Sequence, residues 1–481
     1  MKSCQIVLTA FWAATVASFP AFAGNEEQNL IETVVEAYGG KALTNLARLE
    51  FTDHTKRLNF GQSTSPTLVD IGHYQASVFV DFENSRKSWR SASWSGDGRY
   101  TQNQFFDGTT GYSVNHSKQT YSKENSLSFA SADRRLSYTL DTILARMLYD
   151  SSDDATLSGQ EELNGEVHQK ISFQANGHPP LTLFVHGETG RISMATRPHW
   201  MEGEVHTYRF DNHQRVGDLL YAGDTYVYNR SEPRTVTVSR TVSLEPDDQG
   251  LFDIPATYEQ EGQGLDFSEM TVKEIAQGVY IAGQDWGFSL FVDEGDYFTA
   301  AGGYDRFPER IAAVQSLTGT QKPVRYFVIS HHHMDHIGGV RELDQLGATF
   351  ILHPDHLATV ERALGRQLDE EERMLVPGAD HSFGRVRLID IPSGHSRHNL
   401  GTYVRDERVM FTADMFFSRQ QEGGIRASAA LLAALQLIGL KPDTFVAAHS
   451  SRPLTYKHLE QAVASAPDDV CPPSWLLCER Q

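Results

Sequence analysis

The stretch Val328-Ile329-Ser330-His331-His332-His333-Met334-Asp335-His336-Ile337-Gly338-Gly339 decides how the second half of this 481-residue chain is read. An apolar strand, Tyr326 to Ile329, runs directly into four histidines that fall within six residues. In extended backbone, residues i and i+2 point the same way, so His331 and His333 can converge on one metal ion while His332 faces elsewhere. Asp335 and His336 sit where the chain turns toward a helix, placed to hold a second ion beside the first. Imidazole and carboxylate suit zinc, manganese or iron, and with no cysteine nearby zinc is the default. A merely solvated histidine run is the bland alternative. The apolar strand leading in and Gly338-Gly339 behind, which allow close backbone approach, argue against it.

Working outward, strands are expected at about 288–292, 324–330, 348–352, 385–391 and 408–412. Helices are expected between them at about 308–317, 337–346, 355–365, 427–438 and 455–466. Such alternation argues for a layered domain of helices on sheets. Residues from about 28 to 260 read differently. Short runs such as Ser77-Val78-Phe79-Val80-Asp81-Phe82 and Thr235-Val236-Thr237-Val238-Ser239 are rich in β-branched and aromatic residues, and Asp107-Gly108, Asn164-Gly165 and Asn176-Gly177 punctuate them as turns. One or two helices are expected there, at about 28–38 and 134–148. The join lies near Gln260-Glu261-Gly262-Gln263-Gly264, which is polar and carries glycine.

His-x-His-x-Asp-His after an apolar strand, followed by Gly-Gly, resembles the signature of the metallo-β-lactamase superfamily. Later stretches match that family's remaining motifs in order. Pro392-Ser393-Gly394-His395-Ser396 offers His395, Met410-Phe411-Thr412-Ala413-Asp414 offers Asp414, and Val446-Ala447-Ala448-His449-Ser450 offers His449. Gly278-Val279-Tyr280-Ile281 resembles the family's domain start, so the likeness spans about residues 268–466. It implies one metal on His331, His333 and His395, a second on Asp335, His336 and His449, and Asp414 shared between them. Asp335 is then the catalytic residue that orients the nucleophile and carries a proton. The implied cofactor is two zinc ions per chain, with iron and manganese compatible with the same donors. The implied reaction is attack by metal-activated hydroxide on the carbonyl of a small-molecule ester, lactone, thioester or β-lactam, since zinc brings the pKa of bound water to about 7. One departure stands out: the family usually carries an acid at the end of an early strand, and here that place reads Tyr297-Phe298-Thr299-Ala300-Ala301-Gly302. An iron-dependent persulfide dioxygenase, using a subset of the same ligands, is an alternative within the family.

The expected fold class is α+β multidomain: an αββα sandwich of the metallo-β-lactamase kind over residues 263–470, preceded over 24–262 by a mainly antiparallel β domain, a curled sheet or half-barrel. The Tyr38-Gly39-Gly40, Phe106-Asp107-Gly108 and Gly187-Glu188-Thr189-Gly190 turns of that first domain resemble, weakly, periplasmic lipoprotein-carrier half-barrels. That resemblance makes a carrier of an apolar ligand the competing function. Outside the main motifs, His398 is expected as a loop histidine satisfied by backbone, and His353 and His356 as residues that cap and flank a helix. Tyr403, Phe416, Phe417 and Arg419 are candidate substrate contacts.

Residues 1–23, with Lys2, an apolar run and Ala21-Phe22-Ala23, have the three-part form of a cleavable signal peptide. The expected location is therefore the periplasm or the medium, without stable membrane insertion once the signal is removed. Two of the three cysteines, Cys471 and Cys478, bound CPPSWLLC within the C-terminal tail 471–481, an arrangement that an oxidising compartment would join as a disulfide. With 42 Lys and Arg against 62 Asp and Glu, the net charge of −20 opposes counterion-driven binding to nucleic acid or anionic lipid. The expected partner is a small molecule and not a nucleic acid. Oligomeric state is not legible from the sequence.

Overall fold

The computed structural model of the chain describes residues 23–464 apart from 96–97, 117–118, 200–203, 230, 262–268, 285–286, 379 and 418–425. The expected signal segment (save Ala23), Arg419 and the Cys471/Cys478 pair lie outside the described residues. Among the described residues no helix is long and apolar enough to cross a membrane.

The first part of the chain is one 14-stranded sheet, antiparallel except at Glu259–Gln260, which adds in parallel beside Thr120–Lys123. Its centre is Arg48–Leu58, flanked by Ile71–Asp81 and Glu232–Ser243. In Arg48–Leu58 the alternation of half-exposed and buried residues puts Leu49 and Phe51 on the core face, as period-2 side-chain direction requires. One apolar cluster joins residues of strands far apart in the sheet, such as Val78 and Trp89 on one side and Ile171 and Leu183 on the other. Those strands can share a core only because the sheet curls. Helices Ala23–Ala37 and Asp141–Asp150 fill the space enclosed, through Leu30, Val34, Tyr38, Ile143 and Leu148. A polar knot pins them in place: the Asp141 carboxylate accepts from Tyr38 Oη at 2.6 Å and from the Ala222 amide at 2.8 Å. The helix expected at 134–148 is α-helical only from Asp141. Arg134 and Arg135 have φ of 50° and 68°, and the Asp133 carboxylate accepts from the Arg135 and Ser137 amides, which diverts this stretch into a turn and a single 3-10 segment, Leu136–Thr139.

From Thr271–Ala276 onward the chain builds two further sheets, of seven and six strands. Strand Val279–Gln284 shows how they stack. Val279 and Ile281 face the core between the sheets, with Val386, Leu388 and Phe411 opposite, whereas Tyr280 and Ala282 face an outer core. That outer core is covered by helices Phe307–Thr318, Val340–Gln345 and Leu357–Leu364. On the far side Arg426–Leu437 and Tyr456–Ala464 cover the other sheet through Leu431, Leu435 and Leu459. The result is helix, sheet, sheet, helix, the layering in which every apolar face has a partner. The expected strands and helices of this part are present to within a few residues. Further strands were not expected: the buried Leu400–Val404 and Thr444–Ala447, and edge strands such as Asp380–Phe383 and Ser450–Leu454, the last two carrying little apolar pattern.

Candidate metal centre

Strand Val324–Val328 ends just before the histidine run, and the run leaves it in extended conformation before a 3-10 turn, Met334–His336. The alternation expected along it is seen. His331 and His333 approach with ring centroids 4.5 Å apart, whereas His332 turns away toward Ser396 Oγ at 3.4 Å. The other members arrive from loops at the same sheet ends. His395 sits in a loop held by Asn399, whose side-chain amide donates to the Ile391 and Ser396 carbonyls and to Ser393 Oγ. Asp414 follows strand Val409–Phe411 after Ala413, which holds φ of 49°, a strained value for a residue with a side chain. His449 follows strand Thr444–Ala447.

These residues form two groups of converging donor atoms: His331, His333, His395 and Asp414 in one, Asp335, His336, Asp414 and His449 in the other. Asp414 stands between them with one oxygen for each. Its Oδ2 lies 3.1 Å from His395 Nε2 and 3.6 Å from His331 Nε2, and its Oδ1 lies 2.9 Å from His336 Nε2 and 3.1 Å from His449 Nε2. Asp335 Oδ2 completes the second group at 3.5 Å from His336 Nε2 and 3.7 Å from His449 Nε2. Metal–ligand bonds of about 2.0 Å in a tetrahedral shell put donors roughly 3.3 Å apart, so the spacing fits an ion inside each group.

Two further features fit the same occupant. His333 Nε2 donates to the Ser63 carbonyl at 3.0 Å, a partner that can only accept, so the proton is on Nε2 and Nδ1 carries the lone pair. That Nδ1 is buried without a hydrogen-bond partner, an arrangement that costs stability unless something else uses it. The electrostatics agree. Burial, together with the nearby His336 and His333 rings, holds His331 far below the usual imidazole range, so it stays neutral as a ligand must. Burial alone would raise the Asp414 carboxyl, but the His336 and His449 rings and hydrogen bonds from His336 and His395 outweigh it and keep Asp414 ionised.

Three residues here were not expected. Tyr304, buried just after strand Phe298–Ala301, places its Oη 3.1 Å from His449 Nδ1 and packs its ring against His336. Gln62 and Ser63, from the first sheet, reach Asp335 and His333. Where an early-strand acid was missing, backbone gives part of the support: the Gly303 carbonyl accepts from the Gly339 amide at 2.8 Å. The crossing is so close that a Cβ on Gly339 would lie 2.1 Å from the Tyr304 carbonyl oxygen and one on Gly303 2.2 Å from that of His336. Gly338 has no such neighbour, so of the Gly-Gly pair only the second is required by the packing.

A third convergence, His353, Asp355 and His398, differs in kind. His398 is held by Asp390 Oδ2 at 2.7 Å and Asp355 Oδ2 at 3.3 Å, carboxylates and not the backbone expected. The His353 and His398 rings stack at 3.5 Å and 12°, so their in-plane lone pairs run side by side and do not meet at a point. His353 caps the following turn by accepting from the Asp355 amide, as expected of it. Tyr403 is buried in the helix-facing core, away from the role of a substrate contact, and Phe416 is buried in the same core. Phe417 lies with its ring 5.4 Å from that of His449, at the edge of the site.

The family described as metallo-beta-lactamase superfamily matches residues 302–449, the stretch that contains every one of the seven converging residues. The chain is 29% identical over 131 residues to a hydroxyacylglutathione hydrolase of Marinomonas sp. (strain MWYL1), covering 26% of this chain and 47% of that protein. It is 28% identical over 130 residues to a hydroxyacylglutathione hydrolase of Bartonella quintana (strain Toulouse), covering 27% and 47%. The chain thus spans about half the length of these curated relatives. Among solved structures it is similar to a metallo-beta-lactamase from Hirschia baltica, at 17% identity and a TM-score of 0.35 over 42% of this chain and 100% of that one. It is also similar to the metallo-beta-lactamase FIM-1 from Pseudomonas aeruginosa, at 20% identity and a TM-score of 0.34 over 41% and 94%. Over residues 302–449, which bring both donor groups together, the chain matches the metallo-β-lactamase superfamily.

Proposed function

We propose that the chain is an exported hydrolase that holds two zinc ions, one in each donor group, and cleaves an acyl bond of a small molecule. The observation that carries this reading is Asp414 offering one oxygen to each group. Zinc in such sites supplies Lewis acidity and makes water nucleophilic near neutral pH. This chain's own residues do the rest. His331, His333 and His395 would bind through neutral imidazole, so the shared Asp414 carboxylate is the single anionic donor on that side. Asp335, with its side chain one-third exposed, is the group that reaches both solvent and site, so it orients the attacking water and carries its proton. Tyr304 holds the His449 ring, and Phe417 contributes an apolar edge beside it.

Relatives named for hydrolysing hydroxyacylglutathione weigh toward an acyl thioester as the first substrate to assay, ahead of esters, lactones and β-lactams. Export rests on the pattern of residues 1–23. The carrier alternative for the first part has less behind it: its enclosed apolar face is covered by the chain's own helices. The test is a panel of acyl thioesters, chromogenic esters, lactones, phosphodiesters and a cephalosporin, with His331→Ala as the blank. Turnover of an acyl substrate by the native chain and not by His331→Ala is expected. Equal turnover by both, or cleavage of phosphodiesters alone, would overturn the reading.

A further inference from the structure

The loop between strands Arg48–Leu58 and Ile71–Asp81 belongs to the first sheet, yet its inner half lies against the metal centre. It is tightly built. Ser63 Oγ donates to the Asn59 carbonyl at 2.6 Å and accepts from the Asp70 amide at 3.0 Å. The Asp70 carboxylate accepts from both the amide and the hydroxyl of Thr64. These bonds close residues 59–70 on themselves, which leaves the outward-facing groups of residues 61–64 for other partners.

Those partners are the two segments that carry ligands. The Gly61 carbonyl accepts from the Met334 amide at 3.2 Å, the Ser63 carbonyl from His333 Nε2 at 3.0 Å, and Gln62 Nε2 donates to Asp335 Oδ1 at 2.9 Å. The Thr64 carbonyl accepts from the Arg397 amide at 2.7 Å, and Thr64 Oγ1, whose proton goes to Asp70, lies 3.4 Å from the Gly394 carbonyl oxygen, so Thr64 meets the chain on each side of His395. Four consecutive residues therefore touch both ligand loops. Gly61 has φ of 67° and lies so close that a Cβ would come 2.8 Å from Met334 Cγ, so the fit is one that glycine permits.

The Gln62 contact has a particular consequence. Of the two Asp335 oxygens, Oδ1 is taken by the amide of Gln62, and Oδ2 is the one turned toward His336 and His449. Asp335 is the most exposed of the seven converging residues, so burial alone does little to fix it. Hydrogen bonds to a ligand from a neighbouring group orient it and commonly carry about 10- to 100-fold in metal affinity. We propose that the 59–70 loop of the first sheet is a working part of the metal centre, in which Gln62 is a positioning residue that aims Asp335 at the second ion and the Ser63 carbonyl fixes the ring of His333. The role of the first part of the chain is then to complete the site, and not only to accompany it. This inference rests on the two-ion reading.

The test is titration of the full chain, stripped of metal, with Co2+, followed by its visible absorption. Gln62→Ala removes both the amide and its volume, and Gln62→Met keeps the volume and removes the donor. Both variants are expected to bind the second equivalent about 10-fold more weakly than the native chain, with the first equivalent unchanged and the metal-free melting temperature unmoved. Native-like binding of the second equivalent by either variant would overturn the inference, and restoration by Gln62→Met in particular would reduce Gln62 to packing. A native chain that takes up only one equivalent would instead overturn the two-ion reading, and the second-ion role of Gln62 with it. A companion variant, Gly61→Ala, pushes the whole loop off Met334 and is expected to weaken both equivalents; if it leaves both unchanged, the loop is not part of the centre.

Discussion

The two donor groups share Asp414 and buried histidines, and they differ chiefly in Asp335, the most exposed ligand of either. In the first, His331 and His333 are buried to 0% and 1% exposure, the His333 ring is also held by the Ser63 carbonyl, and His395 is about one-fifth exposed on a loop braced by Asn399. In the second, His336 and His449 are buried just as deeply, at 0% and 5%, whereas Asp335 has a side chain one-third exposed and is held by a hydrogen bond from the distant Gln62. Burial fixes a ligand by sterics, which a single lost hydrogen bond does not undo. A half-open ligand is fixed by its partners, and losing one frees a rotatable side chain. Asp335 should therefore be the adjustable ligand, and the second ion the one whose hold depends more on a hydrogen-bonded partner.

That contrast can be broken in a graded series. The largest effect belongs to His331→Ala, which removes a buried donor from the first group. Losing several kcal/mol of metal-assisted stabilisation corresponds to a fall in turnover on the order of 10³-fold or more, measurable by initial rates on the acyl substrate. Asp414→Ala removes the bridge, and by dialysis against a chelator its second ion should leave before the first; equal retention of both would contradict a shared ligand. Tyr304→Phe deletes one hydroxyl on His449 and should weaken the second ion about 10-fold with the first unaffected. The smallest effect is on stability. Burial, then the neighbouring His332, His353 and His398 rings, push His356 down to about 3. The unfolded chain, with an ordinary histidine pKa near 6.5, then binds more protons than the folded one between those values. Stability of the metal-free protein should be full above about pH 6.5 and decline toward pH 3, and His356→Gln should flatten that decline in thermal melts.

The difference between the groups also marks how far the sequence could be read. His331, His333, Asp335 and His336 were legible from residue type and the short-range rule of strand alternation, whereas His395, Asp414 and His449 were reached through the resemblance of their motifs to the family's. The layers of the second part were legible in part from hydrophobic pattern: runs such as Leu290 to Val292 and Tyr326 to Ile329 are apolar enough to announce buried strands. What stayed hidden was contact over long separations. Gln62 lies in Gly61-Gln62-Ser63-Thr64-Ser65-Pro66, which reads as an ordinary polar turn, and nothing local tells that it meets Asp335, 273 residues away. Nothing near Tyr304 in the sequence relates it to His449, 145 residues away, and the Gly303–Gly339 crossing depends on two backbones that no pattern relates. In the first part, turn dipeptides and β-branched runs indicated strands but not their order, since pairing in a 14-stranded sheet is set by the curl around Ala23–Ala37 and Asp141–Asp150. The early start expected for the second of those helices failed at Asp133, whose side chain competes for the backbone amides.

The central claim is that two ions sit on either side of Asp414, and metal counting tests it most directly. The full chain, loaded with zinc and freed of excess, should carry two zinc ions, lose acyl hydrolysis as a chelator removes them, and regain it when zinc is restored. A chain that saturates at one zinc ion, or that hydrolyses the same substrate equally well after complete removal of metal, would contradict the account.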